Sequence, residues 1–197
     1  MRSLADTLAP TATNMIRFDH THVMATFHQY EIDTRPSVKK GLVDTACTAL
    51  EIHAQLEEEI FYPAVRAVTE NEALKKAVPE HNEMKRLISV LRGMEPEDPA
   101  YDETFMELMR DVLHHVADEE TIVLPDAERM LADSLSDLGR RMMRRRMELT
   151  LPRTGEIVVD MARSVPASTW VLAMGAAAAG ACLTGWLGNR RSYRLER

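Results

Sequence analysis

The chain has 197 residues, of which 45% are hydrophobic and 28% charged, a composition typical of one sizeable globular domain with an appendage. Its eight glycines and few β-branched runs argue against a β-sheet, and its two widely separated cysteines argue against a disulfide framework. Residues 1–130 carry 25 acidic and 13 basic side chains, and this balance of −12 disfavours binding to nucleic acid phosphates. The many Leu, Met, Ala, Glu and Arg residues favour an all-α fold.

The spacing of apolar residues predicts an amphipathic first helix over about 14–33. His20 falls on the same stripe as the apolar side chains of this helix. Pro36 ends it, because proline disfavours helical geometry in the preceding residue. Ser37 is then the expected N-cap of the second helix.

The second helix is predicted to run from residue 37 towards residue 70. Its apolar face takes in His53 and Glu57, which lie four residues apart and therefore on one side of the helix. Pro63 follows His53 by ten residues and is expected to kink the helix or to open its hydrogen bonding locally.

A third helix is predicted over about 72–92, with His81 on its apolar stripe. Pro79 lies near its start and offers an alternative N-terminus for it. The following segment, 93–99, is rich in proline and acidic residues and is predicted to be a loop.

The fourth helix is predicted to begin near Tyr101. His115, Glu119 and Ile122 are placed on its buried face, and Pro125 follows His115 by the same ten residues that separate the earlier histidine and proline.

These four helices form an internal duplication. His20 precedes His81 by 61 residues, and His53 precedes His115 by 62. Each half is predicted to be a helical hairpin, and two such hairpins close into an antiparallel four-helix bundle over residues 10–131.

Histidines and glutamates on the buried stripes predict a metal site. A single stripe histidine is usually a satisfied core residue. Four of them with two glutamates would cost on the order of several kcal/mol each to bury without partners. A bound metal removes that cost, because carboxylates and neutral imidazoles then become ligands. The candidate ligands are His20, His53, Glu57, His81, His115 and Glu119.

The order of these six residues, with each His-x-x-x-Glu-Glu followed by a proline, resembles the hemerythrin family, specifically the bacterial His-His-Glu cation-binding domains. The resemblance covers about residues 10–149. It implies an antiparallel four-helix bundle that holds two iron ions in a non-haem di-iron centre. It also implies that the four histidines are terminal ligands and that Glu57 and Glu119 bridge the irons.

One position departs from the pattern of the oxygen-carrying hemerythrins, which are known for a fifth histidine four residues after the first one on the third helix. That position here is Lys85. One iron would therefore have an open position, a water, or a carboxylate such as Glu58. This difference disfavours reversible oxygen carriage and favours chemistry with peroxide, nitric oxide or oxygen.

The resemblance thus predicts a non-haem di-iron protein that binds or senses O2, NO, peroxide or iron. Two alternatives stay open: a peroxide-consuming (catalase-like) or oxygen-activating di-iron enzyme, and a membrane-attached interaction protein. The expected partner is a small diatomic ligand or peroxide, and not nucleic acid.

The remaining acidic residues and histidines of the repeats have plainer interpretations. Glu58 and Glu120 are rotated by about 100° from the predicted ligands, so they are expected to support the ligands or to face solvent, with Glu58 retained as an alternative ligand. His22, His28 and His114 lie off the stripes and are expected at the surface or behind the ligands.

The C-terminal part is basic. A fifth helix over 132–150 is predicted to begin with a capping box at Ser134-Leu-Ser-Asp137 and to pair its charge with the acidic bundle. It carries five arginines, namely Arg140, Arg141, Arg144, Arg145 and Arg146. Residues 151–164 are interpreted as a linker.

An apolar C-terminal helix is predicted over 165–188, where 24 residues carry no charge. At ~1.5 Å per residue it would span about 36 Å, enough to cross a bilayer. The alternative is an Ala-rich packing helix, and its small residues would also allow a homodimer. A basic tail, 189–197, follows. The excess of arginines before the segment predicts a cytoplasmic iron domain, anchored if the helix inserts.

Overall fold

The computed structural model describes residues 10–164, which are almost entirely helical. Two of the long helices continue through a wider π-helical turn, Glu57–Phe61 and Glu119–Val123, into a short helix. The helices are α1 (Ala12–His28), α2 (Pro36–Leu56), α3 (Tyr62–Arg66), α4 (Glu72–Arg92), α5 (Tyr101–Asp118), α6 (Leu124–Met130), α7 (Leu135–Thr150) and α8 (Thr154–Ser164).

The helix starts differ in detail from the sequence predictions. Thr11 caps α1 by accepting a hydrogen bond from the Asn14 backbone, so this helix begins earlier than predicted. It also ends earlier, at His28. Ser37 is not an N-cap, because Pro36 already occupies the first helical turn, where its missing N–H costs nothing. Asn71 caps α4, and Pro79 therefore lies inside that helix.

The two π turns explain how the helices accommodate the prolines of the two repeats. Pro63 and Pro125 lack the N–H that a regular helix would use, and each is the second residue after a turn of wider hydrogen bonding. The local opening expected at Pro63 is thus confirmed. The prediction of a buried Ile122 was wrong, since Ile122 is 41% exposed and the next residue, Val123, is buried. Ile60 occupies the same position in the first π turn and is buried as predicted, so the π turn alone does not expose Ile122.

Helices α1, α2, α4 and α5 form the predicted four-helix bundle, and α3 and α6 continue α2 and α5 beyond the π turns. Its core consists of two apolar clusters, one that includes Ile16, Leu56 and Leu124, and one that includes Val23, Leu87 and Val112. In each long helix the histidine of the repeat falls in sequence between residues of the two clusters. A layer of buried polar residues therefore separates two hydrophobic cores.

Helix α7 is the predicted fifth, basic helix, and it packs on the bundle by its apolar side. Leu135, Leu138 and Met142 join the first core cluster. The expected capping box does not form, since the side chain of Ser134 makes no capping hydrogen bond. Arg145 binds Glu59 at the bundle surface through Nε at 2.7 Å.

The segment that the sequence indicated as a linker, 151–164, is helical instead. A 3-10 turn, Leu151–Arg153, leads into α8, which packs along α2. The close approach depends on Gly41, since a Cβ there would lie 2.7 Å from the backbone nitrogen of Ser164. The sequence analysis missed this helix because it lies beyond the repeated pattern on which the bundle was predicted.

We expect Gly139→Ala to destabilise the protein by about 1–3 kcal/mol, because overpacking must move backbone. A Cβ at Gly139 would lie 2.1 Å from the carbonyl oxygen of Pro10, so α7 and the start of α1 would separate. Urea denaturation measures this. Gly155→Ala is the control, since a Cβ at Gly155 meets nothing within 4 Å and alanine favours a helix. Equal stability of the two variants would contradict the expectation.

No helix within residues 10–164 is long and apolar enough to cross a membrane. The predicted apolar helix, 165–188, and the basic tail, 189–197, lie outside the residues that the structure describes.

Candidate metal centre

All six residues predicted as ligands lie in the polar layer between the two core clusters. None of them is more than 6% exposed. The residues are His20, His53, Glu57, His81, His115 and Glu119. They form two groups that share Glu57, and within each group the potential ligand atoms lie within 4.8 Å of one another. The first group holds His20, His53, Glu57 and Glu119, and the second holds Glu57, His81 and His115.

Glu57 stands at the centre of this arrangement. Its Oε2 atom lies 3.2 Å from Nε2 of His53, 3.4 Å from Nε2 of His81 and 4.0 Å from Nε2 of His115. Glu119 approaches the cluster from the opposite repeat, with its Oε2 atom 3.3 Å from Nε2 of His20. The i, i+4 spacing predicted an imidazole and a carboxylate side by side in each half, and the structure contains both pairs, His53 with Glu57 and His115 with Glu119.

Each of the four histidines turns its Nδ1 atom away from the cluster and towards a carboxylate. A carboxylate at Nδ1 fixes the N–H on that atom and leaves the Nε2 lone pair free for a metal. The pairs are His20 with Glu120 at 2.9 Å, His53 with Asp19 at 3.4 Å, His81 with Glu58 at 2.9 Å, and His115 with Glu80 at 2.9 Å.

These carboxylates follow the duplication. The second glutamate of each His-x-x-x-Glu-Glu repeat holds the histidine of another helix, which gives Glu58 and Glu120 the supporting role that the sequence analysis expected. Glu58 is also held by Lys85, whose Nζ lies 2.7 Å from both of its carboxylate oxygens. The lysine at the fifth-histidine position thus keeps Glu58 outside the cluster.

The donor set fits a bound cation. Four buried atoms that face the cluster have no hydrogen-bond partner among the described residues: Nε2 of His20, Nε2 of His53, Oε1 of Glu57 and Oε2 of Glu119. Nε2 of His81 and Nε2 of His115 lie only 3.1 Å apart. Two lone pairs at that distance repel, and buried polar atoms without partners are costly, so positive charge among them removes both penalties.

The close contacts in the cluster also shift the pKa values of Glu57 and His53. Burial alone would raise the pKa of the Glu57 carboxyl, but His53 and His81 hold it well below its usual range. Burial alone would lower the pKa of His53, but Glu57 and Asp19 hold it well above its usual range. Since a ligating imidazole must be neutral, metal binding here displaces protons.

Tyr62 is a member of the site that the sequence analysis missed. Its fully buried hydroxyl donates to Oε1 of Glu119 at 2.8 Å or to Oε2 of Glu57 at 3.1 Å. The same oxygen lies 3.4 Å from Nε2 of His81 and 3.5 Å from Nε2 of His115. Tyr62 follows Glu57 by five residues, a spacing that reaches the same side only because a π turn lies between them. The signal in the sequence was a tyrosine directly before the repeat proline.

A small cavity of ≈ 20 Å³ adjoins the cluster, lined by all four histidines and by apolar side chains such as Val23, Leu50 and Val112. A volume of roughly 10–15 Å³ is the minimum for one water molecule. The cavity therefore has room for a molecule of two or three non-hydrogen atoms and, in this conformation, none for a larger organic substrate.

His22, His28 and His114 are exposed, in agreement with the plainer interpretation of these residues. Cys47 is completely buried, and burial raises the pKa of its thiol to about 12, so it is an inert core residue.

Comparisons with known proteins agree with this fold and this donor set. The family described as the hemerythrin HHE cation binding domain matches residues 11–127. A solved structure of an HHE cation binding domain-containing protein, the Rv2633c homolog from Mycobacterium kansasii, superposes with a TM-score of 0.62. It is 19% identical and covers 79% of this chain and 99% of its own, a likeness that shows the fold alone.

A DNA nickase from Nostoc sp. is 29% identical over 108 residues. The match covers 55% of this chain and 31% of that protein, so this chain corresponds to about a third of the relative's length.

Proposed function

Because this chain belongs to the hemerythrin HHE cation-binding family, we propose that its buried cluster holds two iron ions and binds or senses O2, NO or peroxide. The cation-binding family and the cluster of histidines and glutamates together indicate a metal-binding protein. Iron, when bound, supplies a redox-active centre that takes up such ligands. The observation that carries the proposal is the pair of ligand groups joined at Glu57.

The chain's own residues prepare this site in three ways. The carboxylates at Nδ1 orient the four imidazoles and keep their Nε2 atoms directed at the cluster. The apolar walls of the ≈ 20 Å³ cavity limit both water and the size of a ligand. The hydroxyl of Tyr62 is a buried proton donor in contact with both glutamates, and it is also a candidate oxygen ligand where the fifth histidine is missing.

The test is anaerobic reconstitution of the purified protein with ferrous iron, followed by metal analysis and absorption spectra before and after exposure to air. We expect about two iron ions per chain, as in other carboxylate-bridged bundle proteins. Protein that remains iron-free after this treatment would overturn the proposal.

Peroxide consumption is the second candidate function. The size of the cavity favours it over the oxidation of an organic substrate, because peroxide fits the cavity and an organic substrate does not. Steady turnover of hydrogen peroxide by the iron-loaded protein, above the rate of the same concentration of free iron, would establish an enzyme. Binding of NO or O2 without turnover would leave the protein a binder or sensor.

We do not propose that this chain nicks DNA. The shared region is a minor part of the Nostoc protein, and the acidic bundle repels phosphate.

We expect Tyr62→Phe to weaken iron binding by roughly 10-fold, in the range seen when a group that supports a metal ligand is removed. The substitution keeps the buried ring and deletes the hydroxyl that contacts Glu57 and Glu119. Competition with a chelator measures the affinity. Tyr101→Phe is the matched control, because Tyr101 is equally buried but belongs to the other end of α5. An unchanged affinity in Tyr62→Phe would show that the hydroxyl plays no part at the site.

A further inference from the structure

Arg146 connects helix α7 to a carboxylate that supports the metal cluster. Arg146 places Nη1 2.7 Å from Oδ1 of Asp19, and its Nη2 binds Oδ2 of the same carboxylate. Asp19 is in turn the partner of Nδ1 of His53 at 3.4 Å. A chain of contacts therefore runs from a helix that lies beyond the family-matched region, 11–127, to a candidate ligand in the core.

The corresponding carboxylate in the other half has no such partner. Glu80 holds Nδ1 of His115, as Asp19 holds His53, but no arginine binds Glu80 among the described residues. The two halves of the duplicated site thus differ in whether an arginine from outside the four-helix bundle binds the supporting carboxylate. Within residues 10–164, an arginine of α7 binds the supporting carboxylate of His53 and not that of His115.

Asp19 needs this arginine to stay in place. Its side chain is 12% exposed and borders a cavity of ≈ 360 Å³ between α1, α2, α7 and α8, which Arg146 also lines. A carboxylate that loses a bidentate guanidinium partner is left with one long hydrogen bond in a partly buried place. The adjoining cavity offers it water, so the carboxylate would rotate there and release Nδ1 of His53.

We propose that Arg146 is a positioning residue of the metal site: by fixing Asp19 it fixes the imidazole of His53, so the docking of α7 determines metal affinity in one half of the cluster. This inference rests on the proposed iron site. It assigns a function to the arginine-rich helix, whose charge would otherwise only neutralise the acidic bundle. It also implies that any event that separates α7 from the bundle acts on the first ligand group before the second.

The decisive experiment is a titration of the full chain with ferrous iron under anaerobic conditions, in the wild type and in Arg146→Ala. We expect the affinity of one of the two binding phases to fall roughly 10-fold, with the other phase unchanged. General damage to the bundle would weaken both phases. Arg146→Lys, which restores one charge without the bidentate geometry, should give an intermediate loss.

Two further variants separate positioning from charge. Arg144→Ala removes the same charge from the same helix, and it is the control because Arg144 is exposed and forms no ion pair with any residue in the described part of the chain. Asp19→Asn should weaken the same phase as Arg146→Ala. The double variant Asp19→Asn, Arg146→Ala should be no weaker than Asp19→Asn alone, since both act through one contact.

A metal-free measurement keeps the two proposals distinguishable. In proton–nitrogen spectra of the apo protein, the Nδ1–H signal of His53 should be present in the wild type and in Arg144→Ala and lost in Arg146→Ala. If the wild type binds no iron, the proposed function fails while this signal still decides the role of Arg146. If iron binds and Arg146→Ala matches Arg144→Ala in both measurements, the inference about Arg146 is wrong.

Discussion

Glu57→Gln is expected to lower the iron affinity of the whole site by more than about 100-fold, beyond the range for residues that only support a ligand. Glu57 is the residue that both ligand groups share, and its Oε2 atom lies within 4.0 Å of three imidazole nitrogens. Glutamine keeps the volume but replaces a charged oxygen by an N–H2 donor, which repels a cation. Chelator competition and metal analysis of the purified variant measure the loss.

Glu59→Gln is the matched control for this substitution. Glu59 lies in the same π turn but faces the surface, where it binds Arg145. We expect this variant to retain iron and to lose only the small contribution of an exposed ion pair. If Glu57→Gln kept its iron while its fold was intact, the central role of Glu57 would be refuted.

The bundle and the six buried polar residues were predictable from the sequence because they repeat. Helical periodicity fixes which residues share a face, and the doubled His-x-x-x-Glu spacing places one imidazole and one carboxylate together in each half. The pairs Asp19-His20 and Glu80-His81 were visible in the sequence as part of the duplication. Their structural meaning was not, since each acidic residue supports a histidine on a different helix from its own.

Tyr62 and Ile122 show where helical periodicity fails. Tyr62 reaches the site because of the extra residue of a π turn, whereas Ile122 is exposed at the position where the other π turn has the buried Ile60. A uniform period of 3.6 residues placed Ile122 in the core and gave no reason to examine Tyr62, whereas the structure exposes the first and buries the second in the site. The duplication is also broken here, because Leu124 occupies the position equivalent to Tyr62.

Helix α8 and the contact of Arg146 with Asp19 could not be predicted for a different reason. They depend on contacts between residues that lie more than 100 positions apart in the sequence, and no repeat or motif predicts such contacts. The sequence predicted that the arginines of α7 pair with the acidic bundle, and Arg145 and Arg146 do so through Glu59 and Asp19. It gave no sign that the contact of Arg146 would fall on a carboxylate that supports a candidate metal ligand.

Removal of iron is expected to leave the helical fold intact and to lower its free energy of unfolding. For each site, the loss is about 2.7 kcal/mol when the free iron concentration had been 100 times the dissociation constant. The two apolar clusters on either side of the polar layer contain none of the six candidate ligands, so we expect their packing to persist after iron is removed. The layer itself buries Glu57 and Glu119, and without iron the charge of Glu57 is offset by the imidazole of His53, whose pKa Glu57 and Asp19 raise well above its usual range. For a chain of this length, each kcal/mol corresponds to roughly 2–4 °C in the midpoint of thermal unfolding.

Far-UV circular dichroism of the iron-loaded and chelator-treated protein measures both parts of this expectation. The helical signal at low temperature should be the same in both forms, and the unfolding midpoint should be lower after chelation. Glu57→Gln is the control, since a variant that cannot hold iron should show one midpoint whether or not iron is added. Equal midpoints for the loaded and metal-free wild type would mean that iron binds elsewhere than in the buried layer, because a ligand at that layer must favour the folded state.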